Sequence, residues 1–125
     1  MGRGEATVLV VEDDPDIRLL LKSVLESEGY CVVEAATGKD AVTLASQVHP
    51  RLILMDISLP LLDGLSATRQ IKAEDSLRDT PVVAVSAYDS VRRRVVRAGC
   101  AGLVTKPIDL EELKAIVNRL INEGA

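Results

Sequence analysis

Short apolar runs that each end on a charged residue, separated by stretches of helical period, constrain this chain more than any other feature. Val8-Leu9-Val10-Val11 runs into Glu12-Asp13-Asp14, Leu52-Ile53-Leu54-Met55 ends on Asp56, and Gly102-Leu103-Val104-Thr105 ends on Lys106-Pro107. Apolar runs this short, without alternation, read as strands buried on both faces, the mark of a parallel sheet covered by helices. In an open parallel sheet the ligand crevice lies at the carboxyl ends of the strands. Glu12, Asp13, Asp56 and Lys106 are therefore expected to converge at one edge. Crowded carboxylates repel one another unless a cation or a proton intervenes. The pattern points to a metal-assisted site, and Lys106 beside it suits an arriving anion.

The intervening stretches complete an alternation of five strand and helix signals. Asp14 can cap a helix with Pro15 at its first position. Ile17, Leu20, Leu21, Val24 and Leu25 fall on one face of that helix, and Gly29 stops it. Cys31-Val32-Val33-Glu34-Ala35 reads as the second strand. Gly38 opens a helix with Ala41, Ala45 and Val48 inward, ended by Pro50, where the cationic form of His49 would complement the helix dipole. After Asp56, Leu59-Pro60-Leu61-Leu62-Asp63-Gly64 reads as a loop, and a helix follows through Leu65, Thr68 and Ile71. Pro81 introduces Val82-Val83-Ala84-Val85, ending at Ser86. A short basic helix is predicted from about Ser90 to Arg97. Asp109 and Glu112 form a capping box for a last helix with Leu113, Ile116, Val117, Leu120 and Ile121 on its face. Five such units with short connections imply a doubly wound α/β sheet, in one domain without repeats or linkers.

Composition narrows the function classes. A chain of 125 residues fits one domain, and its core must be aliphatic because Tyr30 and Tyr88 are the only aromatics. A net charge of −4 argues against a general nucleic-acid binder, which carries a basic stripe. Cys31 and Cys100 form no CxxC pair and read as two buried, reduced thiols of a cytoplasmic protein. No run is long enough to span a membrane, and residues 1–5 lack the apolar segment of a signal peptide.

Taken in order, Val11-Glu12-Asp13-Asp14-Pro15, Leu54-Met55-Asp56, Pro60 with Asp63-Gly64, Val85-Ser86-Ala87 and Lys106-Pro107 resemble the receiver domain of two-component response regulators. The resemblance covers about residues 6–122 of the single domain assigned to 1–125. It implies a flavodoxin-like fold, a five-stranded parallel sheet of order 2-1-3-4-5 with five helices. It also implies a phosphorylatable aspartate, a divalent cation (Mg²⁺ or Mn²⁺), and a histidine kinase or phosphotransfer protein as phosphodonor. By position, Asp56 matches the phospho-acceptor, and Glu12 and Asp13 match the acidic pair that positions the metal. Ser58 matches the residue whose backbone carbonyl joins the metal shell, Ser86 the switch hydroxyl, and Lys106 the phosphate-contacting lysine. Pro107 falls where the family has a cis bond.

The chemistry suits these residue types. A carboxylate can attack phosphorus in line, and phosphoryl transfer demands positioning and charge neutralisation more than a general base. A hydroxyl at Ser86 can donate to a phosphate oxygen and draw its loop inward, turning a charge event into a surface readout. No enzyme activity is expected beyond phosphorylation and dephosphorylation of Asp56 itself, and neither nucleic acid nor membrane is an expected partner.

The favoured expectation is a stand-alone, phosphorylation-controlled module. A receiver cut from a hybrid kinase or larger regulator, and a phosphate-independent scaffold, are the alternatives. A phosphatase would want a second acid just after Asp56, where Ile57 and Ser58 stand. A flavodoxin would want aromatics and no Glu12-Asp13-Asp14 at its phosphate loop. Arg92, Arg93, Arg94 and Arg97 form a basic helix face that is either solvated or a partner surface. Two departures from the family stand out: Leu103 replaces a common Tyr or Phe, and the interval from Ser86 to Lys106 is short, with the shortening placed around Asp89-Ser90.

Overall fold

A computed structural model describes residues 6–58 and 63–123. In chain order the elements are β1 (Thr7–Val11), α1 (Pro15–Ser27), β2 (Cys31–Ala35), α2 (Gly38–Val48), β3 (Leu52–Asp56) and α3 (Gly64–Ala73). A 3₁₀ turn at Asp75–Leu77 precedes β4 (Val82–Ser86), and a second at Asp89–Val91 leads into α4 (Arg92–Arg97). β5 (Gly102–Thr105) and α5 (Leu110–Glu123) complete the chain. All strand pairs are parallel, in the order β2-β1-β3-β4-β5. This is the flavodoxin-like arrangement implied by the motifs.

The continuous apolar runs supply two cores because successive side chains on a strand point to opposite faces. Val8, Val10, Leu52, Leu54, Val83 and Val104 pack against Leu21 and Leu25 of α1 and Leu113, Val117 and Ile121 of α5. Leu9, Val11, Ile53, Met55 and Val82 pack against Ala41 and Ala45 of α2 and Ala67 and Ile71 of α3. Leu65, Ala84, Val95, Ala98 and Leu103 form a smaller cluster that seats α4. Each fully buried aliphatic side chain contributes roughly 1.5–3 kcal/mol, so both faces of the central strands hold the sheet rigid under the site.

Local chemistry sets the helix starts. Asp14 Oδ1 accepts from the backbone N–H groups of Asp16 at 2.9 Å and Ile17 at 3.3 Å, with Pro15 at the first helical position. Asp63 caps α3 through the Ser66 N–H at 2.9 Å. Asp109 Oδ1 accepts from Glu111 and Glu112, at 3.0 and 3.2 Å, in the manner expected of its capping role. His49 ends α2 in the left-handed region with φ 51°, and its Nε2 lies 3.1 Å from Ser76 Oγ.

Several expectations need correction. Leu20 and Val48, placed inward by helical period, are 48% and 38% exposed. The thiols are not both buried: Cys31, at the start of the edge strand β2, is exposed, and Cys100, between α4 and β5, is half-buried. The basic helix is shorter than read, since its first turn is the 3₁₀ segment Asp89–Val91. Gly64 belongs to α3 rather than to the preceding loop. Positions 59–62 of that loop, and residues 1–5, lie outside the described residues. Among the described residues no helix is long and apolar enough to cross a membrane.

Candidate functional site

Strand register brings the expected residues together. Val11 is level with Ala35 on β2 and Met55 on β3, so Glu12 and Asp56, each one residue further on, emerge side by side. Asp56 is level with Val85, and Ser86 with Thr105, which places Ser86 and Lys106 on the same edge. The Lys106 N–H donates to the Ser86 carbonyl at 2.8 Å, tying the two strand ends. Lys106–Pro107 is a cis peptide.

Two carboxylates are buried at the centre of this edge: Glu12 is 1% exposed and Asp56 2%. Asp56 Oδ1 accepts from the Ser58 N–H at 2.9 Å, and its Oδ2 lies 3.5 Å from Lys106 Nζ. Glu12 Oε2 accepts from the Asp14 N–H at 3.1 Å. Glu12 Oε1 lies 3.7 Å from Lys106 Nζ but among the described residues has no hydrogen-bond partner. A buried oxygen without a partner costs roughly 1–3 kcal/mol, more when charged. Burial, then the neighbouring Asp56 carboxylate, push the Glu12 carboxyl up to about 7, against the opposing pull of the Asp14 N–H and Lys106.

Asp13 stands exposed at the mouth. One carboxylate oxygen from each of Glu12, Asp13 and Asp56 can be chosen so that all lie within 4.8 Å of one another. Three hard oxygen donors, one of them an orphaned buried oxygen, fit a divalent cation such as Mg²⁺, which takes one or two carboxylates and keeps several waters. Ser58 is exposed at the same mouth and its N–H faces Asp56. Ser86 is 1% exposed, and its Oγ accepts from the Tyr88 N–H at 3.0 Å. Glu12, Asp13, Asp56, Ser58, Ser86 and Lys106 thus all lie at or just beyond the carboxyl ends of β1, β3, β4 and β5.

Two supporting residues were not read from the sequence. Arg18 Nη1 donates to the Glu12 carbonyl at 2.8 Å, and its Nε pairs with Glu34 at 3.4 Å, which fixes the end of β1 from the α1 side. Gly64 is buried against the backbone of Asp56 and Ile57, where a Cβ would overlap the Asp56 carbonyl oxygen. Asp63-Gly64 was legible only as a turn. A glycine just after a capping aspartate is the one available hint of this close approach.

Comparison with known proteins agrees with this geometry. The model of the response regulator receiver domain family matches residues 8–118. The polar-differentiation response regulator DivK of Brucella abortus is 37% identical over 106 residues, which cover 83% of this chain and 86% of DivK. The regulatory protein AtoC of Escherichia coli is 34% identical over 116 residues, 91% of this chain and 25% of AtoC. The receiver domain of the sensor histidine kinase PA1611 from Pseudomonas aeruginosa superposes with a TM-score of 0.87 at 36% identity, covering 98% of this chain and 99% of that one. That structure holds a magnesium ion coordinated in its active-site cleft. The chain belongs to the response regulator receiver domain family.

Proposed function

We propose that this receiver is controlled by phosphorylation of Asp56, with a histidine kinase or phosphotransfer protein as donor. The carrying observation is the pairing of buried Asp56 with Lys106 Nζ at 3.5 Å, beside Glu12 Oε1, which has no hydrogen-bond partner among the described residues. Glu12, Asp13, Asp56 and the Ser58 carbonyl would hold a divalent cation, Mg²⁺ or Mn²⁺, which supplies positive charge between the incoming phosphate and the carboxylates. Asp56 attacks phosphorus in line, a new oxygen–phosphorus bond forms as the donor's bond to phosphorus breaks, and the donor keeps that bond's electron pair. The Ser58 N–H holds Asp56 Oδ1 in place while Lys106 offers its charge to the phosphate oxygens.

Ser86 then reads the change. Its Oγ accepts from Tyr88 and retains a proton to donate, so a phosphoryl group on Asp56 can draw the Ser86–Tyr88 loop toward the pocket. The chain so read is a switch rather than an enzyme with an outside substrate. The likeness to the PA1611 receiver supports a second reading with the same chemistry, a receiver borne on a kinase chain.

Incubation with Mg²⁺ and a small acyl phosphate, followed by intact mass, tests the proposal. One phosphoryl adduct is expected, absent with EDTA and absent in Asp56→Ala. An adduct that persists in Asp56→Ala would overturn it.

A further inference from the structure

We infer that Arg18 is a positioning residue for the cation site: clamped between the Glu12 carbonyl and Glu34 of the edge strand β2, it sets how tightly Glu12, Asp13 and Asp56 take a divalent cation. The inference rests on the metal-binding part of the receiver reading. It adds a residue outside the cluster and a direction of effect.

Asp13 is the donor that most needs outside support. Glu12 is held three ways: its N–H donates to the Ala35 carbonyl at 3.0 Å, its carbonyl accepts from Arg18 Nη1 at 2.8 Å, and its Oε2 accepts from the Asp14 N–H at 3.1 Å. Asp56 is buried and held by the Ser58 N–H. The Asp13 carboxylate is exposed, and among the described residues no hydrogen bond or ion pair holds it. Its place is therefore set by its backbone. The Glu12 carbonyl and the Asp13 N–H belong to one planar peptide unit, so Arg18 grips the unit from which Asp13 projects.

The grip is braced from β2. Arg18 Nε lies 3.4 Å from Glu34 Oε1, and its side chain is only 22% exposed, so a long, rotamer-rich group is held in one place. Lys22 Nζ, one helical turn further on, pairs with Glu34 Oε2 at 3.6 Å. Like charges four apart on a helix repel, and Glu34 between them offsets that repulsion. Glu34 is level with Val10 of β1, which packs toward α1 and α5, so register aims it at the same helix. A planar guanidinium donates in fixed directions to both acceptors, whereas a lysine ammonium is a point charge on a flexible stem.

The sign of the effect separates positioning from charge. By Coulomb's law alone, removing a cation beside the carboxylates of Glu12, Asp13 and Asp56 strengthens cation binding. Removing a contact that positions the donors weakens it.

Mg²⁺ titration of the unphosphorylated chain, followed by the Asp13 amide signal in NMR, reads this affinity without any reaction. Arg18→Met is expected to bind Mg²⁺ about tenfold more weakly than the native chain. Arg18→Lys, which keeps the charge but not the fork, is expected to be weakened as well. Glu34→Gln should weaken binding in the native background and add nothing to Arg18→Met, because Glu34 acts through Arg18. Circular dichroism checks the fold of each variant, and Arg18→Lys carries the test if Arg18→Met does not fold. Equal or tighter binding by Arg18→Met, native affinity in Arg18→Lys, or the same loss from Glu34→Gln in both backgrounds would overturn the inference and leave the cation site standing. A native chain with no Mg²⁺ response would overturn the cation reading itself, and this inference with it.

Discussion

Gly64 lies directly against the backbone of Asp56: a Cβ at this position would overlap the Asp56 carbonyl oxygen and come within 2.5 Å of the Ile57 Cα. Backbone cannot swing aside as a flexible side chain can. Gly64→Ala therefore pushes α3 off β3, at a cost of about 1–3 kcal/mol for overpacking, and displaces Asp56. Urea denaturation should show a lower midpoint, and phosphoryl uptake should slow. A variant as stable as the native chain would show that the contact is looser than described.

Glu12 gives a pH dependence. In the metal-free protein its carboxyl is pushed up to about 7 from an ordinary 4.5, chiefly by burial. Between those values the folded chain keeps a proton that the unfolded chain has lost. Stability is therefore greatest below the ordinary value and falls as pH rises through about 7, by up to about 3 kcal/mol. Melting temperatures measured against pH in EDTA should show this decline, and Glu12→Gln should remove it. Added Mg²⁺ should stabilise the native chain more at pH 8 than at pH 6.

Lys106 lies 3.5 Å from Asp56 and 3.7 Å from Glu12, and its charge lowers the Glu12 value. Lys106→Met should move the Glu12 titration further upward, read from side-chain carboxyl NMR, and should weaken phosphoryl uptake. An unchanged Glu12 titration would contradict the assigned electrostatics.

The convergence of Glu12, Asp56 and Lys106 was legible because each follows an apolar run whose burial makes it a central strand, and parallel order sends those ends to one edge. Gly64 was not, because its role is a contact between two backbones and no periodicity records it. Arg18 was hidden similarly, since its partner is the carbonyl of Glu12 rather than a charged side chain. Leu20 and Val48 were misplaced for another reason: helical period marks the centre of an apolar stripe but not its width. Cys31 was misread because it was judged by residue type alone, whereas it opens β2, an edge strand with a neighbouring strand on one side only.

Asp63 caps α3, and the Ser66 N–H holds its carboxyl below the ordinary 3.8. The cap's contribution is present above that value and is lost as pH falls through the lower folded value. Asp63→Ala should cost about 1 kcal/mol near neutrality, and its deficit should shrink in acid. Denaturation at neutral and at acid pH tests the difference.

Tyr88 reports on Ser86. Tyr30 is buried while Tyr88 is 66% exposed, and the Tyr88 N–H is held by Ser86 Oγ. Phosphorylation should alter tyrosine emission in the native chain. Ser86→Ala should still gain the phosphoryl mass but lose the emission change.

The most direct test of phosphoryl acceptance is chemical trapping. After reaction with Mg²⁺ and an acyl phosphate, borohydride reduces an aspartyl phosphate to homoserine, which peptide mass mapping locates. The expected result is homoserine at position 56 alone. Homoserine at position 13 or 14, with residue 56 unmodified, would contradict the assignment of Asp56.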